Sequence, residues 1–125
     1  MISLGELITD IWFRSERSLV DLASDLDLSD VVHDAENHWE WVTGWLDEVQ
    51  LDITRTHTRP PADVDTRIFR PTRGAFDARL KALVLDALRP VVPGTIRCGR
   101  CTYVSGEEFE LVVVEALPQP PDDGN

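Results

Sequence analysis

At 125 residues, 42% hydrophobic and 28% charged, the chain can bury one core without disulfide or metal support. Its formal net charge of −11 is segregated: residues 1–65 carry 15 acids and 4 bases, 66–105 carry 2 and 8, and 106–125 carry 6 and none. This balance repels nucleic acid over most of the length, and no apolar run is long enough for a membrane-spanning helix.

The start, Met1 to Phe13, has no basic n-region and contains Glu6 and Asp10, so no secretory leader is expected and a cytoplasmic setting follows by default. Cys98 and Cys101 are too few for a secreted disulfide framework. A single domain over residues 1–116 is expected. The proline-rich acidic stretch 117–125 (LPQPPDDGN) is expected to be a disordered tail.

Residues 5–14 fit two patterns. Leu4, Leu7, Ile8, Ile11 and Trp12 have helical spacing, whereas Thr9, Ile11 and Phe13 alternate as on a strand. The strand is preferred because it feeds directly into a helix near 16–27, with Leu19, Leu22, Ala23 and Leu26 on one side and Ser15 or Ser18 as cap. Residues 49–56 alternate apolar and polar side chains as a half-buried strand does. Before them, Trp39 and Trp41 would share a strand face; alternatively Trp41, Val42, Trp45, Leu46 and Val49 would share a helical one. Gly44 suits a bend between strands, which predicts a hairpin of about 38–43 and 49–56.

Prolines make 57–65 a loop, and 66–70 reads as a short edge strand. Phe76, Leu80, Leu83, Val84, Ala87, Leu88 and Val91 predict a helix over 74–89, with Thr72 as N-cap and Pro90 at its end. After the Pro93-Gly94 turn, 95–104 and 108–116 read as antiparallel strands joined around Ser105-Gly106. The apolar run Leu111 to Val114 implies cover on both faces. Strand, helix, hairpin, helix, hairpin predicts an α+β fold: a ferredoxin-like βαββαβ antiparallel sheet with two helices on one face and an extra C-terminal strand.

Between Ser18 and Thr54 there is no base and there are ten acids: Asp21, Asp25, Asp27, Asp30, Asp34, Glu36, Glu40, Asp47, Glu48 and Asp52. Trp39, Trp41 and Trp45 lie inside that run. The expectation is that one or two tryptophans fill the inner face of the hairpin; the rival is an indole exposed among the carboxylates as an interface anchor. An acidic run is usually a solvated face, and the bases from Arg67 to Arg100 can neutralise it within the fold. Left uncancelled, it would speed association with a cationic partner in a salt-sensitive way.

Cys98-Gly99-Arg100-Cys101 has the spacing of a zinc clamp or a redox pair, but no second pair completes four ligands and the flanking sequence is strand-prone. Two reduced structural cysteines are the plainer reading. His33, Asp34, Glu36 and His38 are dense in ligand types, yet the histidines are five apart and match no helical pair. No hydrolase elbow, phosphate loop or dinucleotide fingerprint appears.

The reading these features favour is a non-enzymatic module, monomer or homodimer, without cofactor, nucleic acid or membrane contact. It presents Asp34, Glu36, Trp39, Glu40, Trp41, Trp45, Asp47 and Glu48 to a basic protein surface. Bacterial immunity proteins that neutralise toxins meet the same physical description, in size and charge rather than by any motif. The alternatives are a small metal- or thiol-dependent enzyme using Cys98 and Cys101 or His33, Glu36 and His38, and a self-associating or small-ligand-binding domain.

Overall fold

The computed structural model describes residues 8–36, 39–56, 65–71, 74–105 and 108–117, except the side chains of Thr56, Asp65, residues 101–105, residues 108–111 and Val114. In chain order the elements are β1 (Asp10–Arg14), α1 (Leu19–Asp25), β2 (Ser29–Glu36), β3 (Trp39–Leu46), β4 (Val49–Thr56), β5 (Asp65–Phe69), α2 (Ala78–Leu88), β6 (Ile96–Ser105) and β7 (Glu108–Leu117). The seven strands form one sheet in the order β2-β3-β4-β5-β1-β6-β7, with every neighbouring pair antiparallel. The residues 117–125 expected as a tail lie outside the description after Leu117.

Register assigns each side chain to a face, because successive strand residues point oppositely. The inner face carries the row His33, Val42, Ile53, Ile68, Ile11 and Cys98, running from β2 through to β6. Val42, Ile53, Ile68, Ile11 and Cys98 are fully buried, and with Phe13, Leu51 and Ile96 they form one core with the helices. Leu19, Leu22 and Ala23 enter it from α1, and Leu80, Val84, Leu85 and Leu88 from α2. Burial of such side chains, about 1.5–3 kcal/mol each, drives the fold.

β1 lies in the interior of the sheet and is buried in both directions. Ile11 and Phe13 face the core, while Asp10 and Trp12 are also buried on the other side. Ser18 caps α1, its hydroxyl accepting the Asp21 N–H at 3.0 Å, as its sequence position suggested. For α2 the cap is Asp77, whose carboxylate accepts the Leu80 N–H at 2.7 Å. The helix therefore starts four residues later than its apolar spacing implied: Phe76 is buried ahead of it, and Thr72 lies outside the described residues.

The ferredoxin-like expectation is overturned. The molecule is mostly one large antiparallel sheet, and among the described elements β5–α2–β6 is the helical crossover that spans a single intervening strand, β1. The connection from β1 through α1 runs instead to β2 at the far edge of the sheet. Two features caused the misreading. β2 is exposed along its whole length, so it lacks the alternation that betrays a half-buried strand. β5, expected at an edge, pairs with β4 on one side and β1 on the other.

Gly44 is not a bend either. It lies within β3, where an added Cβ would stand 2.8 Å from Leu28 Cβ, so glycine lets the segment after α1 pack down. The hairpin turns at Asp47-Glu48, with Asp47 in the left-handed region at φ 55°. On β7, Val113 is 46% exposed, against the two-sided cover expected for 111–114. No helix among the described residues is long and apolar enough to cross a membrane.

Candidate functional site

The outer face, away from both helices, gathers the chemistry. One row reads Asp34, Trp41, Thr54, Arg67, Trp12, Arg97, Ala116 from β2 across to β7. The next reads Val32, Thr43, Asp52, Phe69, Asp10, Gly99, Val113. Trp39 and Trp45 share the parity of Trp41 on β3, so all four tryptophans of the chain project from this one side. The inner face of the hairpin, where tryptophan was expected, holds Val42, Gly44 and Leu46 instead.

The face changes character along its width. At its centre Trp12 is buried, with Arg97 5.8 Å from its ring and Gly99 beside it; a Cβ on Gly99 would stand 1.9 Å from the Val112 carbonyl oxygen and 3.1 Å from the indole. Arg67 pairs with the buried Asp10 and lies 4.0 Å over the Phe69 ring. Asp52 accepts from the Thr54 hydroxyl, but burial outweighs that bond and the Arg67 charge and raises its pKa. The centre thus consumes its own charges.

Toward β2 the surface opens. Trp41 is half-buried, Trp39 is 47% exposed and Trp45 40%, and Val32 on the edge strand is 59% exposed. Asp34 stands opposite Trp41 and Glu36 opposite Trp39, so carboxylates and indoles interleave on adjacent strands. Among the described residues no basic side chain pairs with Asp27, Asp30, Asp34, Glu36 or Glu48. The basic segment reaches the acidic run at Arg79–Asp47, 2.8 Å apart and well exposed. Arg17, which precedes the acidic run, engages its Asp25 at 2.7 Å.

The eight expected contact residues therefore divide. Asp34, Glu36, Trp39, Trp41 and Trp45 share the outer face, and Asp47 and Glu48 form the β3–β4 turn beside it. Glu40 does not join them. It projects from the inner side, where its carboxylate lies 2.7 Å from His33 Nε2. Val32 was missed as a member, and so was β2 itself. The structure shows Asp27 at φ 58° closing α1 and Asp30 at φ 51° in the register break of β2, a conformation that aspartate tolerates.

The metal and thiol candidates are not brought together. Cys98 is buried in the core, and burial pushes its thiol up to about 11, the opposite of what a reactive or ligating thiolate needs. The Cys101 side chain and His38 lie outside the described residues. His33 and Glu36 project from opposite faces of β2. Among the described residues, no three His, Cys, Asp or Glu side chains are placed to hold a metal ion. Comparison of the chain with protein-family models, curated protein sequences and solved structures finds no match.

Proposed function

We propose that this protein is a non-enzymatic binding module that docks a basic protein surface onto the β2–β3 end of its outer face. An inhibitor of the immunity-protein kind is one form such a module takes. The observation carrying this reading is that Asp34 and Glu36, with which no basic side chain among the described residues pairs, interleave with exposed Trp39 and half-buried Trp41 on neighbouring strands. Indoles supply large contact area at low entropic cost, and the surrounding carboxylates supply long-range attraction and partner choice. The buried, self-neutralised centre offers neither, so recognition belongs to the outer strands.

The test is affinity capture from native lysate on immobilised wild-type protein and on the D34K/E36K variant, each eluted with a salt gradient. A protein held by the wild type, released by rising salt and lost from the variant is the expected outcome, since exposed charges are screened within about 8 Å at physiological ionic strength. Equal retention on both, or retention indifferent to salt, overturns the reading.

A further inference from the structure

We infer that the partner segment binds as an added antiparallel β-strand along the free edge of β2, with basic side chains alternating along it, an inference that rests on the binding role proposed above. Among the described residues β2 ends the sheet and is exposed at every position, so no described strand lies beyond its outward backbone groups. Which groups point outward follows from one bond: the Ala35 N–H donates to Asp34 Oδ1 at 2.8 Å, so it is turned away from β3. In an antiparallel ladder the N–H and C=O of a residue point the same way and alternate residues alternate, which puts the edge groups on His33 and Ala35. The break in register between Ser29 and Val32, where Asp30 adopts φ 51°, confines the regular edge to Val32–Glu36.

Charge chooses the occupant. Along this edge Val32, Asp34 and Glu36 project to the outer face and His33 and Ala35 to the inner. A second copy of the chain would set these carboxylates against their like, which opposes pairing. An incoming antiparallel strand is complementary when, from its N-terminus, it places a basic residue opposite Glu36, another opposite Asp34 and an apolar one opposite Val32. The Asp34 carboxylate acts as a latch in the free protein: it occupies the Ala35 N–H and guards the edge against indiscriminate pairing. A lysine or arginine opposite Asp34 draws the carboxylate away and frees that amide for the new strand.

Two soluble peptides of identical composition test this: one carrying arginine, threonine, arginine, threonine, valine in that order within a neutral threonine-rich frame, the other with the same residues shuffled. The ordered peptide is expected to bind about tenfold more tightly, the combined effect of two opposed charge pairs and one apolar pair. Amide hydrogen exchange should slow at His33 and Ala35 and stay unchanged in β7. Equal affinity for both peptides means charge alone acts, which overturns strand addition and leaves the acidic-surface reading standing. Protection at β7, or dimerisation through the same two amides without peptide, overturns it as well. If neither peptide binds while a captured partner still depends on Asp34 and Glu36, strand addition is again overturned. The Asp34→Ala variant adds an independent check: with the latch gone, Ala35 should exchange faster in the free protein, and unchanged exchange refutes the latch.

Discussion

β1 and β2 belong to the same sheet and obey opposite rules. Four of the five β1 residues are buried, with the core on one side and Trp12, Asp10 and Arg67 on the other, whereas all eight of β2 are exposed. Charges at the centre are matched within the fold, as Arg67 matches Asp10, whereas among the described residues no basic side chain pairs with Asp30, Asp34 or Glu36 of β2. In the proposed reading, stability and recognition therefore occupy different strands, and substitutions at the β2 edge should alter binding at little cost to the fold.

The sharpest way to break this division is by truncation. Ile11→Ala should cost about 3–4 kcal/mol, because a fully buried branched side chain leaves a cavity between sheet and helices. Val32→Ala should fall within about 0.5 kcal/mol. Urea unfolding of both variants measures the contrast, and comparable losses would erase it.

The core should also respond to pH. The Cys98 thiol moves from an ordinary 9.0 to about 11 because burial penalises the thiolate. A raised folded value means that the native state holds this proton more tightly than the unfolded chain. Its contribution is full below pH 9 and fades as pH climbs toward 11, by up to about 2–3 kcal/mol. Denaturation midpoints of wild type against Cys98→Val between pH 8 and 11 should converge or cross as pH rises; parallel curves would show that Cys98 is not the group responsible.

Smaller still is the effect expected at the periphery. D34K/E36K should leave the unfolding midpoint nearly unchanged, which separates its loss of binding from loss of structure. Arg79→Ala should be close to silent in stability, since the Arg79–Asp47 pair is well exposed, and its removal should slightly strengthen the negative field beside the β3–β4 turn. A large destabilisation by either would mean that the acidic end is structural after all.

Much of the element list was legible because periodicity reports burial. The Ser18-capped helix, the strand 49–56 and the apolar stripe of α2 each bury one coherent side and were readable from spacing, while β1 was recognised from its strand composition and the alternation of Thr9, Ile11 and Phe13. β2 was not, since a strand exposed at all eight positions imposes no alternation on its residues. Gly44 misled for a related reason: its absent side chain answers to Leu28 across space, not to a turn in the chain. The face occupied by the tryptophans was likewise hidden, because alternation shows which residues share a side but not which side the helices take.

Composition and local pattern, then, were enough to determine the charge segregation, the positions of most elements and the shared face of Trp39 and Trp41, all set by neighbours within a few residues, but not the extension of that strand to Trp45. Strand order, the burial of Asp10 against Arg67, the divorce of Glu40 from Asp34 and Glu36, and the place of β2 at the end of the described sheet were decided by tertiary structure. These depend on pairings between residues far apart in the chain, whose energies are settled by register and burial once the whole sheet has closed around β1.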